Sequence, residues 1–171
     1  YDIIARKNPN LKNKKETAEK AGVGAVIFSA LYNNRIKDIV FSYDKVLSFE
    51  GETGPYVQYT YARCNSLLEK ADSIMGEPDY EGINNKEAME VVGLLEKFPE
   101  SLFETIEKYE PCYISRYLVD LAKAFNRFYY RHRIIDAEPE LKTARLMLAK
   151  CVKTVIGEGL RLLGISAPAK M

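Results

Sequence analysis

Four prolines decide most of what this chain can fold into. Pro55, Pro99, Pro111 and Pro139 each stand at the head of a segment whose apolar residues recur every three to four positions. Proline suits the first turn of a helix and breaks one in its interior, because it lacks the N–H that an interior position donates. The four heads lay out helices from about 55 to 75, from Pro99 through ESLFETIEKY, from Pro111 to about 133, and from Pro139 to Gly164. Gly76 and Pro78 are placed to stop the first, and Gly164 to end the last. Two more helical patterns lie outside this set. Residues 14–32 string Ala18, Ala21, Val23, Ala25, Val26, Phe28 and Leu31 along a helix that Gly22 and Gly24 allow to pack closely, and NNKEAMEVVGLLEKF follows from 84. Only DIVFSY at 38–43 is ambiguous with a strand. The expectation is an all-α bundle over residues 54–171, with residues 1–53 as a helical connector. GETGP at 51–55 is the turn between them, with Thr53 as N-cap.

Composition narrows the class. At 47% hydrophobic and 29% charged, the chain has the make-up of an ordinary globular protein. No apolar run approaches the roughly 18 residues of a membrane span, and no signal-peptide pattern opens the chain. A start at Tyr1 in mid-pattern suggests a piece of something longer. Cys64, Cys112 and Cys151 are odd in number and far apart, which points to a reducing compartment and to three small buried hydrophobes. His132 is the only histidine and has no ligand-spaced companion, so neither a metal site nor a catalytic role is expected for it. No nucleophile, base and oxyanion donor come together in a catalytic pattern. The net charge of +1 hides a division: residues 72–110 carry eleven acids and three bases, and residues 111–171 carry eleven bases and five acids. The middle should face solvent or a basic neighbour, and the C-terminal part an anion.

At 100° per residue the helix after Pro55 separates into two faces. Val57, Tyr61, Cys64, Leu68 and Ala71 form a core stripe, while Tyr56, Tyr59, Arg63, Ser66 and Lys70 fall in another sector about 80° wide. Two rings and two cations on one face suit single-stranded nucleic acid, where rings stack on splayed bases and cations meet phosphates or base edges. They equally suit an ordinary helix edge with wet hydroxyls and a paired arginine. Angle alone does not separate these. In the helix after Pro111, Ile114, Leu118, Leu121, Phe125 and Phe128 form the core stripe, and Arg116, Lys123, Arg127 and Arg131 a basic stripe that a solvated face would explain. Between the stripes, Ala122, Asn126, Tyr129 and Arg133 form a mixed border; its amide and ring can bond and cover a base.

The order EGETGPYVQYTYAR, FPE, EPCYISRYLVDLAKAFNRFYY, TARLML and GLRLLGISAPAKM, with GVGAVIFSALYNNRIKDIVFSYDKVLSFEGETGPY upstream, closely resembles the C-terminal part of arginyl-tRNA synthetases over essentially the whole chain. The resemblance implies a helical bundle of the DALR anticodon-binding type found in class I synthetases. It further implies that Tyr56, Tyr59 and Arg63 of the GPYxQYxxxR stretch, Tyr129 closing FNRFY, and the terminal Met171 line an anticodon site. Asn126 joins them on chemical grounds, and Arg116, Lys123, Arg127 and Arg131 are expected to steer the RNA backbone. Tyr61 stands where the family often has His or Ala, which agrees with its core-side angle. The implied partners are the anticodon loop of arginine transfer RNA and an N-terminal catalytic domain of the same parent. That parent would be a monomeric cytoplasmic ligase using ATP and Mg²⁺. Neither H-x-G-H nor KMSK occurs here, so no catalytic residues, metal or cofactor are expected in this segment itself. The rival reading is a helical protein-docking module that offers its acidic 72–110 surface to a basic partner.

Overall fold

The computed structural model describes residues 1–71 and 77–171. Among these the chain is helical, with no strand: α1 (Asp2–Lys7), α2 (Lys14–Tyr32), α3 (Tyr43–Val46), α4 (Gly54–Lys70), a 3₁₀ turn (Tyr80–Ile83), α5 (Lys86–Glu96), α6 (Phe98–Lys108), α7 (Cys112–Arg131) and α8 (Pro139–Leu162). The all-α expectation holds, and all four prolines sit in the opening turn or at the N-cap of a helix. Thr53 caps α4 by accepting from the Tyr56 N–H at 3.2 Å, while its hydroxyl donates to the Ser48 carbonyl at 2.6 Å. Gly164 takes φ +72°, and the Ile165 N–H closes on the Leu160 carbonyl at 2.8 Å. A left-handed residue just past a helix is most easily glycine, so α8 stops there. The ambiguous DIVFSY segment is not a strand; from Tyr43 it enters the single turn of α3. α4 runs to Lys70 with Ala71 as its C-cap, and the expected end near 75 and the breaker Gly76 lie outside the described residues.

α7 is the central rod. Its Leu118, Leu121, Ala122, Ala124, Phe125 and Phe128 are wholly buried, and α2, α4, α5, α6 and α8 all pack against it. The segment expected to be a connector shares this core: Phe28 of α2 is wholly buried beside α4 and stacks on Tyr32. α2 and α4 approach so closely that a Cβ on Gly54 would stand 2.8 Å from the Gly24 carbonyl oxygen and 2.8 Å from the Phe28 Cβ. That crossing turns Thr17, Ala21, Gly24, Ala25 and Phe28 inward. Val23 and Val26, part of the apolar pattern read along this helix, therefore face out at 55% and 49% exposure. Cys64 and Cys112 are buried as expected and Cys151 is not, because it falls on the outer face of α8. Burial pushes the Cys64 thiol well above its ordinary range.

The charge division resolves in part within the molecule. Glu87 and Glu90 of α5 pair with Arg131 and Arg127 of α7, so the basic neighbour of the acidic segment is the next long helix. His132 is not a free surface residue: it stacks on Phe128 at 5.1 Å and its Nε2 lies 3.2 Å from Glu87. The His132 bond, with a backbone N–H and Arg131 behind it, holds the Glu87 carboxyl below its ordinary value. A depressed carboxyl contributes stability that is complete above its unfolded pKa, about 4.3, and is lost as pH falls through the lower folded value. The thermal-stability gap between the native chain and Glu87→Gln should thus be open at neutral pH and close on acidification below about pH 4. A gap that is constant across that range would contradict the assignment.

Candidate nucleic-acid interface

The site begins as one turn of α4. Tyr59 and Arg63 are four residues apart and so about 6 Å along the same face. The Arg63 guanidinium lies over the Tyr59 ring at 4.8 Å and over the Tyr129 ring at 4.7 Å, so two helices each bring a ring to one cation. Tyr59 also meets Phe49 at 6.0 Å with the two ring planes near perpendicular, which seats it against the turn before α4. Asn126 of α7 stands behind the arginine. Its Oδ1 accepts from Arg63 Nη1, its Nδ2 donates to Thr60 Oγ1 at 2.9 Å, and that hydroxyl donates to the Tyr56 carbonyl at 3.0 Å. With Thr60 wholly buried, the relay fixes one edge of the guanidinium to the bundle.

A cavity of about 280 Å³ opens in front of this arrangement, lined by Tyr59, Ala62, Arg63, Ser66, Leu67, Lys70, Tyr129 and Ile135, with Asn8 and the terminal Lys170 and Met171 across the mouth. Four of the five residues in the aromatic-basic sector line it. The fifth, Tyr56, does not: it is half-buried against the core, seven residues and about 10 Å up the helix from Arg63. Tyr61 is also half-buried against the core and carries Lys153 over its ring at 5.7 Å, in line with its core-side angle.

The terminal strap is fastened to α4 and to the first loop. Asn65 donates to the Ala169 carbonyl at 3.1 Å, Asn8 to the Met171 main-chain oxygen at 3.2 Å, and Lys170 pairs with Glu69 at 2.8 Å. Deeper in, the wholly buried Gln58 donates from Nε2 to the Lys20 carbonyl at 3.1 Å and to the Ser166 carbonyl at 2.7 Å, joining α2, α4 and the strap. Gln58→Leu removes a buried donor from two part-buried carbonyls, an expected loss of about 1–3 kcal/mol. Hydrogen exchange should quicken at residues 165–171 before it quickens in α7. Unchanged exchange there would show that the strap is held without Gln58.

The basic stripe of α7 stands apart from this cavity. Lys123 pairs with Glu52 at 3.0 Å, Arg127 with Glu90 and Arg131 with Glu87, while Arg116 lies over the Tyr32 ring at 5.9 Å. None of the four lines the cavity. Asn8, Ile135 and Lys170 do, and helical spacing could not have found them, since all three lie outside the helices. Among the described residues no cluster of His, Cys, Asp and Glu could hold a metal ion, and no helix is long and apolar enough to cross a membrane.

Known proteins align with this arrangement. The profile of the family described as "DALR anticodon binding domain" matches residues 57–171. Arginine–tRNA ligase from Clostridium kluyveri is 50% identical over 174 residues, covering 99% of this chain and 31% of the relative. That from Halothermothrix orenii is 48% identical over 171 residues, covering 99% and 30%. Among solved structures, Thermus thermophilus arginyl-tRNA synthetase superposes with a TM-score of 0.93 at 36% identity, over 99% of this chain and 30% of that one. The Plasmodium falciparum arginyl-tRNA synthetase shares the fold, with a TM-score of 0.82 at 23% identity. The chain thus spans about 30% of the length of the curated relatives it matches.

Proposed function

Because the chain belongs to the DALR anticodon-binding domain family, we propose that its cavity holds a base of the anticodon loop of arginine transfer RNA, in a parent that charges that RNA with arginine. The observation that carries this reading is the Arg63 guanidinium, in contact with two tyrosine rings and tied to Asn126, in the wall of a base-sized cavity. A guanidinium so held turns its remaining N–H donors toward whatever enters. Arginine anticodons share a middle cytosine, whose Watson–Crick edge offers N3 and O2 as adjacent acceptors. Uracil puts an N–H at N3 and would set donor against donor. Arg63 then reads the base, Tyr59 and Tyr129 wall and stack it, and Met171 closes the mouth. Asn126 acts through Arg63, since both its polar atoms are engaged. Tyr56 supports the face from one turn up.

Arg116, Lys123, Arg127 and Arg131 are proposed to act at a distance, as a field that draws the RNA in. The carboxylate partners of Lys123, Arg127 and Arg131 weaken that field without abolishing it. The family match begins at residue 57, which supports keeping 54–171 as the binding unit. Residues 1–53 are proposed to join it to the rest of the parent, although α2 shares its core. The ATP and Mg²⁺ chemistry is proposed to belong to that remainder, in a cytoplasmic, monomeric ligase.

Stacking on an aromatic ring is worth about 1–3 kcal/mol per base. Tyr59→Ala should therefore weaken binding of an anticodon stem-loop about 5- to 150-fold, while Tyr59→Phe keeps most of it. Stem-loop affinity unaltered by Tyr59→Ala would reject the reading. Sequence-blind binding would favour the docking-module reading instead.

A further inference from the structure

The cavity around Arg63 does not end at the terminal strap. On the far side of Lys170 and Asn8 lies a wider cleft of about 500 Å³, between the α1–α2 loop and residues 168–170. Asn8 and Lys170 belong to both, so the two hollows share a wall. The chemistry changes across it. The first hollow has two aromatic rings; the second has none, and Asn10, Lys12, Asn13 and Lys20 line it beside the shared pair. Without a ring there is nothing on which a base can stack, whereas ammonium and amide groups are phosphate ligands.

The cations there are also available. Lys12 is exposed and has no carboxylate partner among the described residues. Lys20 pairs with Glu16 at 2.6 Å and Lys170 with Glu69 at 2.8 Å. Both pairs are well exposed to water, and such pairs are worth about 0–1 kcal/mol, so a phosphate can draw the lysine away. Glu16 also lines the cleft, and it limits how deeply an anion can sit.

We propose that this cleft is a second, sequence-blind RNA subsite: the strand whose base enters beside Arg63 runs over Lys170 and Asn8, and its backbone phosphates settle against Lys12 and Lys20. This rests on the reading of the first cavity as a base pocket, and extends it to loop nucleotides beyond the three of the anticodon. The segment before residue 54 thereby contributes to RNA binding as well as to the core.

For single strands each neutralised phosphate contributes about 0.7 to the slope of log affinity against log salt, or about fivefold in affinity at roughly 0.1 M salt. The test is a salt titration of the 171-residue chain with an anticodon stem-loop and with the three anticodon nucleotides alone. Lys12→Ala and Lys20→Ala should each cost several-fold in stem-loop affinity and flatten the slope. The loss should be equal for stem-loops with a middle C or a middle U, and absent for the trinucleotide. An unchanged slope in the double variant would overturn the subsite, as would an equal loss on the trinucleotide. Tyr59→Ala in the same assay separates the two readings. If it binds as tightly as the native chain, the base pocket falls, and the lysine slopes still decide the cleft.

Discussion

Phe28→Ala should cost the folded chain about 3–5 kcal/mol, the range for truncating a fully buried aromatic. Phe28 has no exposed surface, stacks on Tyr32 at 5.9 Å and lies where α2 crosses α4 at its closest. Against a typical total stability of about 5–15 kcal/mol, the variant would be marginal at best. The outcome matters because Phe28 belongs to the segment that reads as a connector. A segment that only tethered two bodies would lose nothing measurable when its one large buried ring was removed. Urea unfolding of the native chain and the variant decides this: a shift in midpoint with an unchanged slope means lost stability within one cooperative unit. No shift would mean that α2 is an appendage.

The second large effect is expected at Arg63. Arg63→Ala removes the cation that contacts both rings and leaves Asn126 Oδ1 without its donor in a partly buried position. Arg63→Lys is the more informative change. It retains the charge and loses the planar fork, so the two N–H groups that can face adjacent acceptors on a base disappear. A good bidentate contact is worth about 1–3 kcal/mol of discrimination. Arg63→Lys should thus bind the stem-loop with a similar salt slope and yet no longer distinguish a middle C from a middle U. If Arg63→Lys still discriminates as the native chain does, the reading of the base lies with another group.

How much of this was legible in the sequence depends on distance along the chain. Helix starts were legible because proline acts locally, and Thr53 and Gly164 behave as their types dictate. The face carrying Tyr59, Arg63, Ser66 and Lys70 was legible because helical rotation is fixed. That same argument could not separate Tyr56 from Tyr59, since angle carries no information about height along the axis. Val23 and Val26 face out because their helix is turned by a glycine crossing with α4, a tertiary event. The basic stripe of α7 was correct as a stripe, but its carboxylates come from α5 and from the turn before α4, and spacing on one helix cannot reveal them. Asn8 and Lys170 reach the α4 face from the first loop and from the C-terminal strap, over long stretches of intervening chain that no local pattern encodes.

The acidic segment keeps a structural role under this account. Glu87 and Glu90 are occupied in docking α5 on α7, and the rival reading must do without them. The account's central claim is that Arg63 and its two rings read one base. Equilibrium binding of the native chain to two anticodon stem-loops, identical except for C or U at the middle position, tests that claim without any mutation. The account predicts that the C stem-loop binds about 5- to 150-fold more tightly. Equal affinity for the two would contradict it.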